Sequence, residues 1–249
     1  MKIFFFITRL AWGLWAWFSF IVACIFSLVV TIIVPGSLRR QKLVTYAAKA
    51  VFIFSGIKVS VNGINHIPLD GCVVIANHAS YIDGILLNGY LPPRFGFVIK
   101  GEMRNFPVAH FLLRRSGSKF VERNEARGSS RDARQLIKAA KEGESLGFFP
   151  EGTFKLEPGI RRFRPGAFVA AYKAKIPVVP IAISGSRKML PEGNLIPCPT
   201  HLIIDILPPI MPNDSNFECS KKLAEASRRK IISATGEPDL LLNKVFRSK

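Results

Sequence analysis

From Leu10 to Val34 the chain runs through LAWGLWAWFSFIVACIFSLVVTIIV without one charged side chain. As a helix at about 1.5 Å per residue, this run extends roughly 37 Å, more than the roughly 30 Å of a bilayer's hydrocarbon core. A core helix of a soluble protein seldom stays uncharged for so long, and a cleaved signal peptide has a shorter apolar centre. The IVAC stretch ending at Cys24 resembles a lipoprotein cleavage box, but the apolar run continues well past it. Trp12, Trp15 and Trp17 suit an interfacial aromatic belt. Pro35-Gly36 stops the run, and Arg39, Arg40 and Lys42 follow. Positive flanks stay on the cytoplasmic side, which places everything downstream there, on the inner membrane of a bacterium. A second apolar stretch, LVTYAAKAVFIFSGI (43–57), is able to lie on or dip into the bilayer. Residues 1–57 therefore read as a membrane anchor of two helices.

Beyond it, short β-rich runs alternate with helical patterns. The expected strands are 57–61, 72–76, 95–99, 119–121, 146–149, 177–183 and 201–207. Helices are expected to start near Ser80, Pro107, Ser129, Pro165 and Ser215. This interleaving predicts an α/β domain over 58–249, with a mixed, mostly buried sheet flanked by helices. Lys and Arg outnumber Asp and Glu by 35 to 17, giving a net charge of +18. Such an excess favours anionic partners. Together with a hydrophobic fraction of 49% and a mean hydropathy of +0.24, it points to a phospholipid membrane and away from nucleic acid. The four cysteines form no C-x-x-C pair or His/Cys cluster, so neither a metal site nor a redox motif is expected.

The stretch ANHASYIDG (76–84) leaves an apolar strand and enters a helix. Ser80-x-x-Asp83 has the form of a capping box, which accounts for Ser80 and part of Asp83. It leaves His78 unexplained. An Asp near a His fixes its tautomer and stabilises the imidazolium formed when the ring takes a proton. No G-x-S-x-G stands in the sequence and no Cys lies nearby, so the pair suits a general base acting on a substrate's own hydroxyl. In FPEGTF (149–154), Pro150 forces the chain out of a strand, Gly152 permits close backbone approach, and Glu151 is held at the strand end. Residues 100–131 carry eight Lys or Arg against three Glu, interleaved with Phe106, Phe111 and Phe120. IPVVPIAISG (176–185) is an apolar strand with two prolines and a small-residue exit.

Asn77-His78 with Asp83 resembles the NH-x4-D motif of the glycerolipid acyltransferases, the 1-acylglycerol-3-phosphate acyltransferase family. FPEGT resembles that family's third motif. Lys100-x-Glu102, Pro107 and FVER ending at Arg123 resemble the second, and VPIAISG the fourth. The resemblance covers about the middle half of the chain. It implies transfer of a fatty acyl group from acyl-CoA or acyl-carrier protein, a co-substrate in the absence of any cofactor, onto a lysolipid hydroxyl at a membrane. On that resemblance His78 is the base, Asp83 orients it, and no acyl-enzyme forms. Glu151 organises the acceptor site, Gly152 is a backbone candidate for the oxyanion, and Lys100, Arg123 and Thr153 contact the acceptor, the first two through its phosphate. One position departs from the pattern. Where the family reads E-G-T-R-S, Phe154-Lys155 stand here. Either Lys155, or Arg161, Arg162 and Arg164, takes over the phosphate contact, or the acceptor is a lysophospholipid or another lipid. A non-catalytic lipid-binding protein of the same fold is the alternative outside enzymes. His66, His110 and His201 lack a nearby carboxylate and read as structural, and KKLAEASRRKIISA (221–234) as an amphipathic helix able to lie against lipid.

Overall fold

The computed structural model describes residues 2–122 and 126–242. Helix α1 (Lys2–Ile33) contains the uncharged run, and Phe6–Ile33 is long and apolar enough to cross a membrane. It stops ahead of Pro35 and of Gly36, which takes φ +83. Helix α2 (Ser37–Phe54) begins within the basic cluster, earlier than apolarity alone suggests. Both halves of α1 are tied to the rest of the protein. Arg9 donates to the Ile196 carbonyl at 3.2 Å, Trp17 to Leu195 at 2.8 Å, and Trp12 and Trp15 to Ser55 and Phe54 at 2.9 and 2.7 Å. At the other end Arg115 donates to the Thr31 carbonyl at 2.9 and 3.0 Å. These anchor points lie about 33 Å apart along the helix at 1.5 Å per residue, so α1 runs along the domain instead of projecting from it. The three indoles expected to meet headgroups are satisfied by backbone carbonyls of the protein itself.

The strands are β1 (Val59–Asn62), β2 (Val73–Ala76), β3 (Phe95–Lys100), β4 (Lys119–Val121), β5 (Ser145–Phe148), β6 (Val178–Ser184) and β7 (Leu202–Ile206). They form one sheet in the order β1-β7-β6-β2-β5-β3-β4, and every neighbouring pair is parallel except β6–β7. Parallel neighbours need crossovers. These are α3 (Asp83–Tyr90), α4 (Pro107–Arg115), α5 (Ala126–Lys141) and α6 (Gly166–Ala174); a short α7 (Ser186–Met189) and α8 (Ser220–Thr235) follow. Alternation along the strands splits the core. Val74, Ala76, Val179 and Ile181 pack with Phe52 of α2 and Leu86 and Leu87 of α3, whereas Val73, Ile75, Phe148 and Val178 pack with Leu136 of α5, Phe168 of α6 and Leu223 of α8. Strand β2 is buried on both faces, as a central parallel strand between helix layers must be. Gly89 brings α3 against α2 so closely that a Cβ there would lie 2.8 Å from the Lys49 nitrogen.

Pro180 sits inside β6, an interior strand where proline is costly. Its carbonyl accepts from Leu207 N–H at 2.9 Å, one residue past the end of β7, so its missing donor faces the place where β6–β7 pairing already breaks. Pairing resumes one residue out of step at Val178↔Ile210, and the slack holds Pro208 and Pro209.

The late helix differs from expectation. It starts at Ser220, after a 3₁₀ turn at Ser215–Phe217, and turns Leu223, Ala226 and Ile231 into the core beside β6, not toward lipid. Arg228, within the 221–234 stretch expected to lie against lipid, is buried and grips Asp239 bidentately at 2.6 and 2.7 Å. It also donates to the carbonyls of Ile160 and Arg161. Beside this guanidinium the Asp239 carboxyl is held down to about 2. His66 and His201 bond the Ile206 carbonyl and the Ser60 hydroxyl, and His110 stands edge-on to Phe120.

Candidate functional site

Strands β2 and β5 are parallel neighbours with Ile75 beside Phe148, so the chain leaves both at the same edge. Ligand sites in α/β sheets gather at the carboxyl ends of such strands. Asn77 closes β2. Its side chain donates to the Ile183 carbonyl at 2.9 Å and accepts from the Ile183 N–H at 2.7 Å, extending the pairing with β6 by one side chain. The next residue, His78, is thereby thrown out over the edge.

His78 Nδ1 lies 3.0 Å from Asp83 Oδ2. The same oxygen accepts the backbone N–H groups of Ala79 and Ser80 at 2.7 and 2.8 Å. An oxygen that already accepts two donors takes a third from the ring, so Nδ1 carries the proton and Nε2 presents its lone pair. Asp83 is fully buried at the first position of α3, where the helix N-terminus favours a carboxylate. Ser80 does not cap that helix; its hydroxyl donates to the Leu190 carbonyl at 2.6 Å, and the helix starts two residues later than its capping-box pattern suggests. Only the returning half of the box, Asp83 to Ser80 N–H, is present.

Glu151, at the end of β5, is buried and fully engaged. Oε1 accepts the His78 N–H and Oε2 the Arg161 N–H, each at 2.9 Å. Burial raises its carboxyl above the usual range, against the pull of these bonds. The sequence reading gave Glu151 to the acceptor. The geometry makes it the clasp that joins the His78 loop to the 150–164 segment. Gly152, the oxyanion candidate, takes φ +80 and gives its N–H to the Phe149 carbonyl at 3.0 Å, so this donor is committed to closing the turn. Thr153 is exposed, its hydroxyl directed at the adjacent Phe154 carbonyl. Lys155 is 3.5 Å from Glu192. Lys100 stands exposed at the end of β3, two strands from β2 and so about 10 Å along the same edge. Arg123 lies outside the described residues. Arg162 and Arg164 are exposed, with the Arg164 N–H on the Pro150 carbonyl.

Two aromatic rings not expected among the site residues lie against the imidazole, and a third lies behind one of them. Phe149 stacks on His78 at 4.4 Å and 23°; Phe154 meets it edge-on at 4.6 Å, and Tyr81 in turn meets Phe154 at 4.8 Å and 90°. The His78 side chain keeps 19% of its surface exposed. Phe149 was readable as the last residue of the expected strand 146–149; nothing in the local pattern brings Phe154 to His78 or Tyr81 to Phe154. The 155–159 segment is held by Arg187, which donates to the Lys155 and Glu157 carbonyls at 2.6 and 3.0 Å and pairs with Glu237. What remains is an oriented imidazole with one basic nitrogen at the mouth of a strand edge, inside an aromatic collar.

A family model described as Acyltransferase matches residues 58–184, just over half of the chain. The chloroplastic 1-acyl-sn-glycerol-3-phosphate acyltransferase BAT2 of Brassica napus is 29% identical over 160 residues, 62% of this chain and 46% of its own. The lyso-ornithine lipid O-acyltransferase of Pseudomonas aeruginosa is 31% identical over 156 residues, 62% of this chain and 58% of its own. The chain thus spans about half the length of the curated relatives it matches. The crystal structure of the 1-acyl-sn-glycerophosphate acyltransferase PlsC from Thermotoga maritima superimposes with a TM-score of 0.76 at 24% identity. It covers 92% of this chain and 95% of its own, and the two share the fold.

Proposed function

Because the chain belongs to the acyltransferase family, we propose that it transfers a fatty acyl group from a thioester donor, acyl-CoA or acyl-carrier protein, to the hydroxyl of 1-acylglycerol-3-phosphate at a membrane. The observation that carries this reading is the His78–Asp83 pair, with Nδ1 engaged and Nε2 open at the strand edge. His78 Nε2 takes the acceptor's hydroxyl proton as the oxygen attacks the thioester carbonyl. Asp83 offsets the charge that the imidazolium gains. The tetrahedral intermediate collapses with loss of the thiolate, which takes the proton back from His78, and the lipid leaves as an ester. No side chain becomes acylated. Lys100, at the same edge, supplies positive charge for the acceptor's phosphate.

The membrane enters through α1 and α2. Leu14, Phe18 and Ile25 of α1 and Ile53 and Phe54 of α2 are exposed. Since both halves of α1 are bonded to the domain, these side chains enter one leaflet with the helix lying along the surface. Arg39 and Lys42, both exposed, then meet anionic headgroups of the cytoplasmic leaflet, while Arg40 is held by the Arg115 and Val34 carbonyls.

The test is transfer from radiolabelled acyl-CoA and acyl-carrier protein to 1-acylglycerol-3-phosphate by the detergent-solubilised protein. The expected result is turnover that falls by about 10²–10⁴-fold in His78→Ala. Substantial turnover by that variant, or none by the wild type with either donor, overturns the reading.

A further inference from the structure

The acceptor's hydroxyl has to reach His78 Nε2, so whatever it carries on the adjacent carbon meets the surroundings of that ring. Those surroundings are aromatic: Phe149 on one side, Phe154 at the edge and Tyr81 behind it. In 1-acylglycerol-3-phosphate the adjacent carbon bears a phosphate monoester, close to a dianion at neutral pH. An anion gains nothing from an aromatic face, and stripping its water against apolar rings is unfavourable without a partner. The cation next in the chain, Lys155, is drawn toward Glu192, and Arg187 is committed to Glu237 and two backbone carbonyls. Arg161 is tied to Glu151 only through its backbone N–H, and Arg162 and Arg164 stand exposed, eight and ten residues past Phe154 in the chain. The exposed cation on the edge, Lys100, stands about two strand spacings away, so it attracts the phosphate from a distance and does not grip it beside the ring.

We propose that Phe154 is the acceptor-specificity residue, and that by making the position beside His78 apolar it admits lysophospholipids whose phosphate is a diester as readily as the monoester. The inference rests on the acyl-transfer reading above. A site that grips a terminal phosphate bidentately excludes a headgroup esterified to it, because the second ester occupies a gripped oxygen. A site that merely flanks the phosphate with Phe154 and Tyr81 leaves that oxygen free to carry ethanolamine or glycerol out past the half-exposed Tyr81 ring, which shows 53% of its surface.

The experiment is kcat/KM for 1-acylglycerol-3-phosphate against 1-acylglycerophosphoethanolamine and 1-acylglycerophosphoglycerol, in mixed micelles with one acyl thioester donor. It compares the wild type, Phe154→Arg and Phe154→Leu. Wild type is expected to use monoester and diester within about tenfold of each other. Phe154→Arg is expected to raise the monoester-to-diester ratio by at least about tenfold through KM, the worth of one charge-assisted contact. Phe154→Leu is expected to leave that ratio unchanged. Overturning results are a wild type that prefers the monoester by about 100-fold or more, or a folded Phe154→Arg protein with an unchanged ratio. Should Phe154→Arg fail to fold, the wild-type ratio decides by itself. Transfer with the wrong ratio removes this proposal alone, whereas absence of transfer to every acceptor removes the acyl-transfer reading with it.

Discussion

Asp83→Asn separates the two services that Asp83 gives to His78. One is geometric: Oδ2 accepts the Nδ1–H at 3.0 Å and fixes the tautomer. The other is electrostatic, a charge facing the imidazolium. In the Asn variant the amide oxygen must occupy the Oδ2 position, because the Ala79 and Ser80 N–H groups at 2.7 and 2.8 Å both require an acceptor there. The tautomer therefore survives and only the charge is lost. Two unit charges about 4 Å apart at an effective dielectric constant near 20 interact by about 4 kcal/mol, and the difference between charged and neutral hydrogen bonds gives a lower bound of about 1 kcal/mol. The first figure corresponds to a loss of about 10³ in kcat and the second to less than about tenfold; a fully buried site favours the upper half, about 10²–10³. KM is expected to stay put. The new amide NH₂ takes the place of Oδ1, which has no partner, so a buried donor goes unsatisfied at a cost of about 1–3 kcal/mol, partly offset by removal of a buried charge. Initial rates at saturating substrate, with a thermal melt to show that the fold is retained, measure this directly. A folded Asp83→Asn protein with more than about a third of wild-type kcat would refute the electrostatic role.

Glu151→Gln tests the clasp through its pH dependence. Burial raises the folded carboxyl above its ordinary 4.5, so between the two values the native state binds more protons than the unfolded chain. The group's contribution to stability therefore declines as pH rises from about 4.5 through the folded value, and is flat above it. Urea midpoints measured across that window should show the decline in wild type and lose it in the variant. Gly89→Ala drives a Cβ to 2.8 Å from the α2 backbone, and overpacking of this kind costs about 1–3 kcal/mol. A calorimetric Tm should drop by about 2–4 °C for each kcal/mol. An unchanged Tm would mean that α2 is free to move away from α3.

Local pattern carried most of the α/β frame. The seven expected strands correspond to β1–β7, because a central strand such as Val73–Ala76 needs only an apolar, β-branched run bounded by turn residues to announce itself. Helix starts were less legible. Ser80 looks like an N-cap until its hydroxyl is taken by Leu190, 110 positions away in the chain. The α8 pattern was read correctly as amphipathic and assigned to the wrong partner, since periodicity reveals that a face is apolar and not what covers it.

The site divides along the same line. His78 and Asp83 were visible in the sequence because their chemistry lies within five residues, and the length and apolarity of α1 were visible because they need no partner. Other features hang on contacts between segments far apart in sequence. Asn77 is fixed by Ile183, Glu151 joins His78 to Arg161, and Gly152 spends its N–H on a turn. The aromatic collar and the attachment of both ends of α1 belong with them. A sequence specifies which groups are able to react and which faces shun water. Hydrogen-bond partners and ring contacts are settled only when the sheet brings the ends of β2, β5 and β6 to one edge, so tertiary structure alone decided which of these residues guards the base and which merely holds it.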